Sequence, residues 1–257
     1  SLWTAINDAT PTTPATKPVL KVNCASELTA TTDAVTMSLE FGNFMTRAFP
    51  ELVQRHNQLS LVEHARFAEK VLLSKISGLS TKVTTAASLG TSRDLLSAVA
   101  RASAQYRNRH RIARGIQLRL LMPDWTLDAI REDIASNLRI ENLAVTDSVV
   151  QAWFAARGFN ISWYMDDTFA AQTAGAALND WPATVKFWLS SEGSLLFLDG
   201  GTLDLGIIRD AELVSTNDYI TFVETFEGVA KVGLEVLEVS AATHTGPLVG
   251  SGTGGGG

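Results

Sequence analysis

"PELVQRHNQLSLVEHARFAEKVLLSKIS", residues 50–77, is the longest stretch of this chain that reads as one regular element. Pro50 suits a first helical turn, where a missing N–H costs nothing, and Glu51 suits the positive end of the helix dipole. Lys75 and Gly78 suit the exit. At 1.5 Å per residue the segment makes a helix roughly 40 Å long. From Leu61 onward its apolar positions (Leu61, Val62, Phe67, Val71, Leu72, Leu73, Ile76) point in nearly every direction. A helix apolar all round must be covered on several sides, by its own fold or by neighbouring subunits.

Upstream, residues 1–18 are rich in proline and threonine; "ATPTTPATKP" predicts an extended arm. Between Val19 and Phe44 the signals are short and β-like, as in "VLKVN" and "AVTMSLEF". Downstream, Thr91 or Ser92 caps a second helix, with Asp94 in its first turn. Leu95, Val99, Ala102, Tyr106, His110 and Ala113 follow helical spacing and make one stripe, and Gly115 is the expected stop. "IQLRLL" reads as a strand. Pro123 then breaks the chain before the helix "DWTLDAIREDIASNL", with Leu127, Ile130, Ile134 and Leu138 as its buried stripe. "VTDSVVQAWFAARG" is another capped helix, closed by Gly158 and followed by the strand "FNISWYM". Residues 170–183, rich in Ala and Gly, predict a loop. The last third ("ATVKFWL", "SLLFLDGGTLDLGII", "YITFVETFEGVAKV", "LEVLEVSA") is strand after strand, and "GSGTGGGG" predicts a flexible tail. The fold class is α+β, with helices first and a β-rich close.

The chain has 257 residues, 46% of them hydrophobic, and a formal net charge of -6. That supplies ample core for one large domain or two smaller ones. Net acidity argues against non-specific binding of nucleic acid or anionic membrane as the main activity. The single cysteine, Cys24, excludes an internal disulfide framework and any Cys-rich zinc site, and is expected to be a half-buried hydrophobe. No run of about 18 apolar residues could span a bilayer. Ser1 is expected to be a processed end or to follow an upstream segment.

Catalytic patterns are absent. "DGGTLDLG" lacks the lysine of a phosphate-binding loop and the spacing of a dinucleotide site, so a β-turn is the expectation. Asp166 and Asp167 are adjacent; on a strand they would face opposite ways and could not share a proton. Three of the four histidines lie in predicted helices, and none has an i, i+4 partner suited to a metal. No G-x-S-x-G elbow occurs. We therefore expect no enzyme, no cofactor and no metal.

"YRNRHRIARG", residues 106–115, concentrates four arginines in this acidic chain. On a continuous helix Arg93, Arg107, Arg111 and Arg114 fall within about 60° of one another, a basic ridge away from the apolar stripe. Arg109 lies nearer the stripe and should be partly buried and paired. Asp124, Asp128 and Glu132 form an acidic ridge of matching pitch on the next helix. The two ridges are expected to face each other, within a subunit or across a subunit boundary. A phosphate-binding surface is the weaker alternative, since aromatics for base stacking are nearly absent there.

The order of segments resembles the major capsid protein of tailed bacteriophages, the Hong Kong 97-like fold, which is shared with encapsulins. The closest resemblance is to phages of actinobacteria. It is carried by "FPELV" (49–53), "YRNRHRIARG" (106–115), "LMPDW" (121–125), "AVTDSVVQAWFAARG" (144–158) and "FLDGGTLDLGIIRDAELVSTNDYITFVETFEGVAKVG" (197–233). The resemblance implies an arm and extended-loop return at 1–49, a peripheral domain with its spine helix at 50–90 and an axial domain at 91–190. A β-rich return at 191–245 and a Gly-rich tail at 246–257 follow. It also implies self-assembly into pentamers and hexamers of an icosahedral head enclosing double-stranded DNA, with the encapsulin-like compartment shell as the alternative. Implied partners are other copies of the chain, a scaffold, a portal, decoration proteins and weakly held DNA, with no membrane. The implied location is the virion, assembled in the host cytoplasm. Some relatives crosslink covalently through a lysine, an asparagine and a glutamate; no motif here matches that set. On this view Arg107, Arg109, Arg111, Arg114, Asp124, Asp128 and Glu132 are candidate assembly contacts.

Overall fold

The computed structural model describes residues 3–8, 16–17, 19–23, 29–87, 91–138, 145–169, 181–201 and 203–243, with the side chains of residues 91 and 136–138 excepted. Cys24, most of the Ala/Gly-rich 170–183 segment, the Gly-rich tail and the side chain of Leu138 therefore lie outside the description. The chain divides into two units, residues 1–30 and 31–257.

In the first unit a single turn, α1 (Ala5–Asp8), interrupts the expected arm. Asn7 Oδ1 accepts from the Thr4 N–H at 2.9 Å and from its hydroxyl at 2.7 Å. "VLKVN" does not form a strand, and Val19, Leu20 and Val22 are each at least 86% exposed. Its alternation is β-like, but a strand also needs a neighbour to take up its backbone groups.

The second unit contains β1 (Asp33–Gly42), α2 (Asn43–Ala48), α3 (Pro50–Leu79), β2 (Thr81–Thr85), α4 (Thr91–His110), β3 (Leu118–Pro123), α5 (Thr126–Leu138), α6 (Asp147–Ala156), β4 (Phe159–Tyr164), β5 (Thr184–Ser191), β6 (Leu195–Asp199), β7 (Asp204–Ile208), α7 (Ala211–Thr216), β8 (Asp218–Lys231) and β9 (Leu237–Ala242). One sheet has β8 at its centre, with β1 antiparallel on one side and β6 and β7 on the other. Asp199 lies opposite Glu227 and Asp204 opposite Glu224, so β6 and β7 are two halves of one interrupted strand along β8. The "DGGTLDLG" glycines therefore do not turn a hairpin: Gly200, Gly201 and Leu203 lie off the ladder between its two halves, and Gly200 N–H still donates to Phe226 O at 2.7 Å. Gly206 lets the Phe222 ring lie against the β7 backbone, since a Cβ there would come within 2.3 Å of it.

The long helix runs as expected and slightly further. Gly78 lies inside α3, and Ser80 caps it, its hydroxyl donating to Ile76 O at 2.6 Å. One face packs on β1 and β8, where Val53 joins Phe41 and Tyr219 in a small core. Buried His64 fastens the helix to the sheet through Nε2 and Val35 O, 2.9 Å apart. Lys75 is not a terminal cap: its ammonium pairs with Asp33 at 2.8 Å, tying the far end of α3 to the start of β1.

The second sheet has the order β2-β9-β5-β3-β4, with β2/β9 and β3/β4 parallel. Its covered face builds the main core. Leu95, Val99, Ala102 and Tyr106 of α4, Ile130 of α5, and Val150 and Phe154 of α6 pack on Leu118, Leu120, Met122, Phe187, Leu189 and Val239. The connection from β3 through α5 and α6 to β4 is a crossover, the link a parallel pair requires. On the opposite face Tyr164, Trp188 and Val236 meet Ile76 near the end of α3, so the two sheets share that helix.

Three further sequence expectations change in this unit. Pro123 ends β3 rather than breaking the chain ahead of the helix, and α5 begins at Thr126, whose hydroxyl donates to Pro123 O at 2.5 Å. A short helix, α7, sits in the strand-rich third, N-capped by Asp210, which accepts from Leu213 N–H at 2.8 Å, and closed by left-handed Asn217. Most consequential is the end of α4. The helix stops at His110, not Gly115, because Arg111 adopts a left-handed conformation with φ 55°.

Candidate assembly surfaces

Because α4 ends at His110, Arg111 and Arg114 do not continue its face. Of the predicted basic ridge, only Arg93 and Arg107 remain on the helix. The chain instead folds over its own end, with Ile112 N–H bonding Arg107 O at 2.9 Å. Arg107 bends back to donate to Ala113 O at 2.8 Å and to Gly158 O at 3.4 Å. Burial, and next the charge of Arg114, push the pKa of its guanidinium below the ordinary arginine value. Gly158 lies beside this seat at φ +76°, a backbone conformation that favours glycine. Arg157 adds a fourth cation to the corner, its guanidinium 3.9 Å over the Trp153 ring. Arg111 and Arg114 themselves are exposed, as is Ala113, which drops out of the predicted stripe.

Arg109 is paired as expected but not buried. Its partner is Glu235, with Nη1 and Oε2 3.0 Å apart, and the arginine side chain remains 67% exposed. His110 meets the same carboxylate at 3.3 Å. Tyr106, fully buried, donates its hydroxyl to Glu235 O at 2.7 Å and accepts from Ser191 N–H at 3.1 Å. The Thr81 side chain, the His110 ring and the Arg109 charge hold the Glu235 carboxyl below the usual carboxylate range, against the opposing effect of burial.

The acidic residues gather at the other end of β3. Asp124 sits in the turn before α5 rather than on it, and Asp128 and Glu132 follow on the first turns of the helix. Asp128 pairs with Arg131 at 3.2 Å. Glu132 accepts from Trp181 Nε1 at 2.6 Å, and Asp166 accepts from Trp125 Nε1 at 3.1 Å. Trp125, Phe169 and Trp181 form a mutual cluster with ring centroids 5.8 to 6.1 Å apart. Asp167 turns away to Lys70 of α3, 2.6 Å distant, which holds its carboxyl below the usual range. Among the described residues no ion pair joins Arg93, Arg107, Arg109, Arg111 or Arg114 to Asp124, Asp128 or Glu132, so the two charged sets do not face each other within one chain. The aromatic cluster escaped the sequence reading because its members, at 125, 169 and 181, share no period.

A second class of surface is apolar. Leu59 and Phe67 of α3 and Leu205 and Ile207 of β7 are 44% to 64% exposed. Leu205 and Ile207 lie on the same side of the sheet as α3, since they pair with Val223 and Thr221, but the helix covers β1 and β8 and leaves β7 bare. An apolar edge strand of this kind is a ready contact for another chain.

Among the described residues chemistry does not converge anywhere comparable. A cleft of about 300 Å³ on the open face of the second sheet is lined by Arg119, Glu192 and Trp188. Arg119 and Glu192 spend their charges on each other at 3.0 Å. No group of three or more His, Cys, Asp or Glu side chains suited to a metal occurs among the described residues. No helix among them is long and apolar enough to cross a membrane.

No family model and no curated protein sequence matches the chain. Solved structures do. A structure from Mycobacterium phage Che8 superposes with a TM-score of 0.54 at 11% identity, covering 87% of this chain and 81% of that one. One from Gordonia phage Cozz gives 0.54 at 12% identity, covering 92% and 80%. The head structure of Helicobacter pylori bacteriophage KHP40 gives 0.50 at 10% identity, covering 84% and 76%. At such identities the likeness is one of fold, and the fold of this chain is that of phage capsid proteins.

Proposed function

We propose that this chain is the major capsid protein of a bacteriophage, a structural subunit that self-assembles through pentamers and hexamers into an icosahedral head around double-stranded DNA. The observation that carries it is the capsid fold spanning more than four-fifths of the chain in each of the superpositions above. The bare apolar faces of α3 and β7 support it, since such surface needs a partner. In this reading α3 and the first sheet are the peripheral part and the 91–190 segment is the axial part. Arg107, Arg109, Arg111, Arg114, Asp124, Asp128 and Glu132 act in assembly across subunit boundaries. Scaffold, portal and decoration proteins are its partners in the host cytoplasm, and the DNA is held by weak contacts only. The role is structural rather than enzymatic.

Negative-stain microscopy of the purified protein, with and without co-expressed head proteins, tests this. Capsomers or large shells are expected. Small closed shells formed by the chain alone, and binding a cargo peptide inside, would assign it to a compartment shell instead. A discrete monomer under every condition would overturn the shell reading.

A further inference from the structure

The two charged corners lie at opposite ends of the same parallel strand pair. Arg111 and Arg114 precede β3, beside Gly158 at the start of β4. Asp124 and Trp125 follow β3, next to Asp166 after β4. Six residues of strand at about 3.3 Å each separate the ends by roughly 20 Å. Each corner is incomplete alone. At the first, Arg111 and Arg114 present exposed guanidinium groups, with Arg107 already spent on carbonyls. At the second, Trp125 and Trp181 have their N–H groups taken by Asp166 and Glu132, so what they offer outward is ring surface beside the exposed carboxylate of Asp124 and that of Asp128, which stays 67% exposed despite its pair with Arg131. Guanidinium groups bind both kinds of surface, pairing with carboxylates and stacking on indoles.

We infer that the arginine corner of one copy docks on the acidic-aromatic corner of the next, so that copies associate head to tail around a rotation axis. The inference rests on the shell reading: a ring of five or six copies needs two different surfaces on each subunit, and these corners are complementary in charge and opposite in position. The occupant of each corner is thus a second copy of this chain.

The test uses the full chain with Cys24→Ser and a short bismaleimide crosslinker. A chain carrying both A113C and T168C, exposed neighbours of the two corners that leave the contact charges in place, is expected to give a covalent ladder extending past the dimer to a closed ring. Chains with either cysteine alone are expected to give no crosslink. A ladder that stops at the dimer, or same-site crosslinks in the single variants, would overturn the head-to-tail contact. So would assembled protein without any crosslink, and in each of these cases the shell reading stands. Failure to associate at all overturns both. As a second measurement, R111E and D128K should each weaken association at least tenfold while leaving the circular dichroism unchanged. Mixing the two variants should restore it, because each reversed corner then meets its opposite. No recovery on mixing also overturns the contact.

Discussion

Glu235 ties several elements of this molecule together. Its side chain is held by Thr81, His110 and Arg109, and its backbone carbonyl by buried Tyr106, so β2, α4 and the approach to β9 meet on one residue. The consequence for pH follows from the sign of its shift. A carboxyl held below its ordinary range is stabilising while ionised, and that contribution is lost as pH falls through the lowered value. We predict that the urea midpoint is level near neutrality and declines in the acid range below about pH 4, the ordinary glutamate value. E235Q should lower the neutral plateau and make the acid decline shallower. An unchanged pH profile in E235Q would remove Glu235 from the account. The sequence placed Tyr106 and His110 on a buried stripe and asked for a partner to Arg109. It could not name Glu235, because that contact closes over 126 residues of chain and carries no local period.

At the scale of elements, the strongest periodic signals were legible and the places where a period is interrupted were not. The long helix, α5, α6 and the strands of the last third lie close to where their spacing put them. The basic ridge did not survive, because helical spacing was carried past Arg111, a residue in the left-handed region that ends the helix. Arginine gives little local hint of that conformation, whereas Gly115, the expected stop, does. β6 and β7 were legible as strands, but their shared alignment along β8 is a long-range fact. Gly158 is the element-level feature most open to test. Its φ of +76° sets the backbone turn where the α4 exit meets the start of β4. Gly158→Ala should cost about 1–2 kcal/mol, from the strain of an L side chain in the left-handed region. The drop in chemical-denaturation midpoint measures it. An alanine chain as stable as the parent would show that this joint has slack.

For the whole molecule, the question is which apolar residues hold the chain together and which hold copies to one another. A long helix apolar all round posed that question in the sequence, and the fold answers half of it. Val53, Ala68 and Ile76 are buried against the chain's own sheets, while Phe67 is 54% exposed and Ile207, on β7, 64%. Side chains that exposed contribute little to the stability of one copy, and polar substitutions at such sites usually change it by no more than about 0.5 kcal/mol. If neighbouring copies cover them, the same substitutions remove apolar burial at every contact in the assembly. With roughly 100 Å² of apolar surface per side chain at about 25 cal/mol per Å², each loses about 2–3 kcal/mol per contact. Since about 1.4 kcal/mol is tenfold in affinity, F67S and I207S should each raise the concentration needed for assembly some 30- to 100-fold, with unfolding midpoints near that of the parent. Sedimentation velocity across a dilution series reads the first quantity and urea denaturation the second. A variant that loses stability but assembles at the parent's threshold would place its residue in the fold rather than between copies.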